Sequence, residues 1–220
     1  MSAFPTVIVL AAGKGERFKA SGATQDKLQA LLCGQPVREH VLAAVRASGL
    51  PWHIVEREHT AHLMNPGMGD SIACGVAATP HAHGWLILPA DLPLIQPSTL
   101  LAVARDLQQH AVVVPAYGGQ VGHPVGFNIT CRNSLVNLTG DKGARLIVDM
   151  HQLHRIETND EGCVLDIDNF PPNPNLTDLS VSLRMSPASS TDTVTPSIAG
   201  DKSNFLVNIA TLKRKVSNSR

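Results

Sequence analysis

Three stretches of this chain are apolar without interruption: VIVL at residues 7–10, WLIL at 85–88 and VVV at 112–114. A strand with one face in water alternates apolar and polar residues. A strand that is apolar throughout is buried on both faces, as in a parallel sheet covered by helices above and below. Stretches of helical character separate the three. Pro36 suits the first turn of a helix running to Ser48, and Gly49 stands where that helix should end. Residues 52–55 predict a short strand. Asp70 or Ser71 is placed to cap a helix over SIACGVAA. Pro97 opens a helix to about Gln109; residues 122–130 read as extended, 131–151 as mostly helical and 163–167 as extended again. This alternation predicts an α/β fold with a doubly wound, mostly parallel, Rossmann-like sheet and helices on both faces.

Composition divides the chain near residue 170. Of the last 50 residues, 24 are Ser, Thr, Asn or Pro, with six basic and three acidic side chains among them. Such a segment has little apolar surface to offset the entropy of ordering it. Residues 1–170 are therefore the expected folded domain, and 171–220 an expected disordered, polar tail. Lys plus Arg equals Asp plus Glu at 18 each, which argues against bulk attraction to nucleic acid or an anionic membrane. No apolar run approaches the roughly 20 residues of a membrane helix. MSAFPT lacks the pattern of a secretion signal, so a cytoplasmic protein is expected. Cys33, Cys74, Cys131 and Cys163 form no CxxC pair and read as reduced, buried thiols.

In a doubly wound sheet the ligand lies at the carboxyl ends of the strands, near the switch in strand order. Two such ends carry chemistry. The first is the loop after Leu10, AAGKGERF. A dinucleotide fingerprint would need glycine at position 18, where Phe18 stands, and no GKS or GKT closes a Walker loop. What remains is a glycine turn whose amides can face an anion, with Arg17 and Lys27 adding positive charge. It is either a phosphate grip or a plain strand-to-helix turn with solvated cations.

The second is Asp91, amid the apolar neighbours of LPADLPLI. A carboxylate there is costly to desolvate unless a cation or several donors meet it. Mg2+ bridging Asp91 to a triphosphate would resolve both charges, and an aspartate accepting backbone amides in a turn is the alternative. The metal reading is preferred because the phosphate loop should be nearby. His59 with His62, and His81 with His83, lack a third partner at zinc spacing and read as surface histidines.

LAAGKGERF, Lys27-Leu28 and GQPV are followed in order by NPGMGDSIACGV, LPADLPLI, GHPVGF, GDKGAR and LDID. Together, over about residues 7–168, these motifs resemble the MobA-like NTP transferase family. LAAG followed by KL looks more like its molybdenum cofactor cytidylyltransferase branch (CTP:molybdopterin cytidylyltransferase) than its guanylyltransferase branch.

The resemblance implies a nucleotidyltransferase that moves a nucleoside monophosphate, CMP by preference, from an NTP to molybdopterin with release of pyrophosphate. Leu10, Ala11, Ala12, Gly13, Lys14 and Gly15 would cradle the nucleotide, with Gly69 and Ser71 against its base or ribose. Arg17, Lys27 and Asp91 would be catalytic: the two cations neutralise phosphate charge, and Asp91 holds Mg2+ with Asp168 as second ligand. Gly122, His123 and Asp141 would face the acceptor phosphate. A molybdoenzyme or its maturation factor is the implied protein partner. A sugar- or polyol-phosphate nucleotidyltransferase and a non-catalytic nucleotide-binding protein on the same fold are the rival readings. The sequence departs from the family in two places. Fewer residues separate Ser48 from GMG, predicting a reduced crossover, and NFPPNPNLTDL follows Asp168 where TPxD is usual.

Overall fold

The computed structural model describes residues 4–13 and 26–167. Its centre is a seven-stranded sheet. β1 (Thr6–Leu10) leads to a two-stranded hairpin, β2 (Leu31–Leu32) and β3 (Gln35–Pro36), which opens helix α1 (Val37–Ser48). Gly49, at φ 69°, takes the left-handed conformation that ends α1, and its N–H reaches back to the Arg46 carbonyl. β4 (Trp52–Val55) follows, then one 3-10 turn (Arg57–Thr60), helix α2 (Met68–Ala78) and β5 (Gly84–Pro89). A single 3-10 turn is the only regular element between β4 and α2. Helix α3 (Pro97–Asp106) leads to β6 (Val112–Tyr117), β7 (Gln120–Val121) and β8 (Val125–Asn128). The short helices α4 (Arg132–Val136) and α5 (Arg145–Asp149) precede β9 (Leu153–Glu157).

The sheet order is β4-β1-β5-β8-β6-β7, with β9 also on β6. β1 pairs in parallel with both β4 and β5, and β6 with β9, while β8 lies antiparallel between β5 and β6. The chain leaves β1 for β4 on one side and returns to β5 on the other. The switch point is therefore at the carboxyl ends of β1 and β5.

Alternation within the apolar strands explains the two layers. Val7 and Val9 of β1, with Leu86 and Leu88 of β5, pack against Val41 and Val45 of α1 and Leu100 and Val103 of α3. Ile8, Trp85 and Ile87 face the other way, against Ile72 and Val76 of α2, Leu135 of α4 and Ile147 of α5. Each fully buried aliphatic side chain contributes about 1.5–3 kcal/mol. Gly75 lets α2 lie close on this face: a Cβ there would stand 2.5 Å from Cγ2 of Ile8.

Three expectations need correction. β9, LHRIE, falls between the helical reading that ended at residue 151 and the strand placed at 163–167, in a stretch given no element. It is a partly exposed strand, so its pattern lacks a continuous apolar run. Residues 161–163 form a 3-10 turn instead, whose Cys163 is buried, as is Ile167 beyond it. The α2 N-cap is Gly67, and Asp70 lies in the first turn. Of the cysteines, Cys131 and Cys163 are buried, but Cys33 is exposed and Cys74 is half-buried. Lys14, Gly15, Arg17, Asp168 and the 171–220 tail lie outside the described residues.

Candidate active site at the ends of the first and fifth strands

β1 and β5 run in register, Leu10 opposite Pro89, and the Ala90 N–H donates to the Leu10 carbonyl at 3.0 Å. One residue on, Asp91 enters the crevice beside β1. Its Oδ2 lies 2.6 Å from Nζ of Lys27, and both side chains are largely enclosed. Asp91 thus follows the strand end that pairs with the end of β1, from which the described residues 11–13 continue.

Lys27 reaches that position from a turn started by Asp26, whose Oδ1 accepts the Leu28 N–H at 3.0 Å. Ala11 donates to the Val55 carbonyl of β4 at 2.8 Å, extending the β1–β4 pairing past the strand's end. The Gly13 carbonyl accepts a hydrogen bond from Nη2 of Arg57 at 2.7 Å.

At the start of α2 two glycine-containing segments meet. The Gly69 N–H donates to the Gly140 carbonyl at 2.7 Å. Oδ2 of Asp70 accepts the N–H groups of Gly67 (2.8 Å) and Gly140 (2.9 Å). The approach requires glycine: a Cβ on Gly67 would lie 2.3 Å from the Gly140 carbonyl carbon and 2.5 Å from Oδ1 of Asp141. Ser71 is buried and its hydroxyl donates to the Gly67 carbonyl. Asp141 is exposed.

The segment 122–125 brings His123 within electrostatic reach of Asp91. Gly122 donates to the Pro115 carbonyl and His123 to the Cys163 carbonyl, both at 2.8 Å. The His123 ring is bonded to the Ile87 backbone, and its Nδ1 is buried without a partner among the described residues. Burial holds its pKa below the usual imidazole value, outweighing the opposing pull of Asp91 and Asp166. Asp166 belongs to the segment whose Ile167 N–H donates to the Asp91 carbonyl at 3.0 Å.

Sequence reasoning treated Asp70 only as a candidate cap and did not single out Arg57 or Asp166. Arg57 follows the strand next to β1, which is the one signal that marked it. Asp70 acts on a loop 70 residues away, which no local pattern reveals.

Among the described residues no cluster of three or more His, Cys, Asp or Glu side chains is arranged to hold a metal. Asp91 nevertheless suits a hard divalent cation, since Mg2+ is commonly held by one or two carboxylates plus phosphate oxygens and water.

Residues 7–156 match the model of the MobA-like NTP transferase domain. The chain belongs to that family. As a MobA-like NTP transferase domain it is 34% identical to the bifunctional protein GlmU of Halorhodospira halophila over 133 residues, covering 52% of this chain and 28% of GlmU. The chain thus spans a minor part of the length of the curated relatives it matches. Among solved structures, Rv0371c of Mycobacterium tuberculosis H37Rv superposes with a TM-score of 0.62 at 25% identity, covering 76% of this chain and 94% of that one. Rv0371c has also been solved in complex with manganese, with a TM-score of 0.58 at 23% identity and coverage of 76% and 94%. The molybdopterin-guanine dinucleotide biosynthesis protein A of Archaeoglobus fulgidus shares the fold, with a TM-score of 0.53 at 14% identity over 82% of this chain and 100% of that chain. The mixed sheet with helices on both faces is the nucleotidyltransferase fold of these neighbours, and none of the described helices is long and apolar enough to cross a membrane.

Proposed function

We propose that this domain transfers a nucleoside monophosphate, CMP from CTP by preference, to the terminal phosphate of a molybdopterin-type acceptor in the cytoplasm. The observation that carries this reading is the Lys27–Asp91 pair, 2.6 Å apart, with Asp91 following the strand end paired with the end of β1 at the sheet's switch point. A cation for phosphate and a carboxylate for a metal neutralise each other there, ready to exchange partners when a metal-bound triphosphate enters.

Binding would proceed as follows. The backbone of residues 10–13 faces the phosphates, and Lys27 turns from Asp91 to the α-phosphate and the departing pyrophosphate. Asp91, freed, would hold Mg2+, which when bound neutralises charge on the phosphate oxygens. Arg17 and the amides of Lys14 and Gly15 would add to the same grip, and Asp168 to the metal. The turn at Gly69 would border the base, through backbone rather than the Ser71 hydroxyl, which is already engaged. Gly122, His123 and Asp141 would line the acceptor side. An acceptor phosphate oxygen attacks the α-phosphorus, its bond to the bridging oxygen breaks, and pyrophosphate leaves. An ionised phosphate needs no general base, so positioning and charge neutralisation supply the catalysis. The chemistry of the acceptor places a molybdoenzyme or its maturation factor downstream.

The identity with GlmU supports a second reading, transfer to a sugar or polyol phosphate. Incubating the full chain with each NTP, Mg2+ or Mn2+, and either molybdopterin or a panel of sugar and polyol phosphates, then measuring pyrophosphate, separates the two. Turnover with molybdopterin supports the first reading, and turnover only with a sugar or polyol phosphate the second. NTP binding without turnover on any acceptor would overturn both in favour of a non-catalytic binding protein.

A further inference from the structure

Helix α2 joins β4 to β5, and both strands run parallel to β1. The helix therefore runs back against them, which puts its first residues at the carboxyl edge of the sheet, the edge at which Asp91 follows β5. Gly75 of α2 lies against Ile8 in the middle of β1. Gly69, six residues earlier, stands about 9 Å nearer that edge at 1.5 Å of rise per residue. A helix start so placed often offers its N–H groups to an anion. Here the chain engages two of them itself: Oδ2 of Asp70 accepts the Gly67 N–H at 2.8 Å, and the Gly69 N–H donates to the Gly140 carbonyl at 2.7 Å.

The same Asp70 oxygen accepts the Gly140 N–H at 2.9 Å. Gly140 is thus held by both of its polar groups, in a turn where it takes the left-handed φ of 67°. Gly67 is held likewise, since its carbonyl accepts the Ser71 hydroxyl at 3.1 Å and the Ser71 N–H at 3.2 Å. No side chain fits between the two segments. A Cβ on Gly69 would lie 2.9 Å from the carbonyl oxygens of both Gly140 and Thr139, and one on Gly67 would lie 2.5 Å from Oδ1 of Asp141. The Asp141 carboxylate therefore rests against the start of α2, one residue beyond the peptide group that Asp70 grips.

We infer that Asp70 is a positioning residue for the acceptor: by holding Gly67 and Gly140 on one oxygen it joins the start of α2 to the turn carrying Asp141, and so fixes where Asp141 stands. This rests on the proposed function, which gives the base to the turn at Gly69 and the acceptor to Asp141. Without the clamp the acceptor oxygen loses its alignment with the α-phosphorus while the NTP keeps its own contacts. The loss should appear in the acceptor's kinetics and not in NTP affinity.

The test uses the full chain at a temperature where circular dichroism shows each variant folded. A nonhydrolysable CTP analogue with Mg2+ gives the nucleotide Kd by calorimetry, and pyrophosphate release gives kcat and KM with molybdopterin, or with the sugar phosphate that the wild type turns over. Asp70→Ala should lower kcat/KM for the acceptor about 100-fold while the analogue's Kd stays within about threefold. Asp70→Asn keeps an accepting oxygen and should lose about tenfold or less. Asp141→Ala combined with Asp70→Ala should be little worse than the more damaging of the two alone, because Asp70 acts through the turn that carries Asp141. If Asp70→Ala does not fold, Asp70→Asn takes its place in the same cycle with Asp141→Ala. Acceptor kinetics within twofold of wild type in the folded Asp70 variants would overturn the inference alone. So would a loss that falls equally on the analogue's Kd, or effects at 70 and 141 that simply multiply. A wild type that binds no NTP, or turns over no acceptor, would overturn the proposed function and this inference with it.

Discussion

Asp70 fastens α2 to a loop 70 residues further along the chain: one carboxylate oxygen accepts the N–H groups of Gly67 at 2.8 Å and of Gly140 at 2.9 Å. The negative charge also lies in the first turn of α2, where the helix dipole favours it. Asp70→Ala strands both donors and should lower unfolding free energy by about 2 kcal/mol, read from the urea midpoint. Asp70→Asn retains an accepting oxygen and should lose less than half as much. Equal losses would mean that charge, not the paired hydrogen bonds, holds the two turns together.

Asp160 is a second carboxylate used for structure rather than chemistry. It is buried; Oδ2 accepts the Gln96 N–H at 2.9 Å and the Thr99 hydroxyl at 2.6 Å, and Oδ1 accepts the Gly162 N–H at 2.9 Å. It thereby satisfies donors at the start of α3 and in the turn before residue 163 at once. Asp160→Ala leaves three donors without their acceptor and should cost about 3 kcal/mol by urea unfolding. A loss below about 1 kcal/mol would show that water replaces the carboxylate.

The strands that were legible from sequence are those that do one thing. β1, β5 and β6 are buried on both faces, so VIVL, WLIL and VVV announce themselves, and Gly49 marks the end of α1 because the left-handed cap there suits a residue without a Cβ. β9 was missed because LHRIE lies partly exposed on β6 and borrows its stability from that pairing. At the candidate site, Asp91 stood out because a charge at the end of an apolar strand is out of place unless something meets it, and in the fold Lys27 does. Asp70 and Arg57 were not, because each acts on backbone atoms distant in sequence, and carbonyls and amides carry no residue-specific signature. CVLDI suggested a strand because it is apolar, whereas Cys163 and Ile167 are buried from a turn and an irregular segment.

His123 makes stability depend on pH. Burial holds its pKa below 6.5 in the fold, so the folded protein stays neutral there while the unfolded chain takes up a proton. The unfolded state binds more protons, and stability therefore rises with pH through that interval and falls as pH drops from about 7 towards 5. His123→Gln removes this titration. Its urea midpoint should change less between pH 7 and 5 than that of the wild type, and an identical pH dependence would show that His123 is free to protonate in the fold.

The central claim is that Asp91, paired with Lys27 at 2.6 Å, becomes the metal-holding carboxylate of a nucleotidyl transfer centre. Asp91→Asn is nearly the same size and keeps an oxygen for Lys27, so unfolding should shift little. The most direct measurement is the rate of pyrophosphate release by this variant with CTP, Mg2+ and molybdopterin, beside the wild type under the same conditions. A rate lowered by about 100-fold or more, with the fold intact by circular dichroism, is the predicted result. Release at close to the wild-type rate would contradict it.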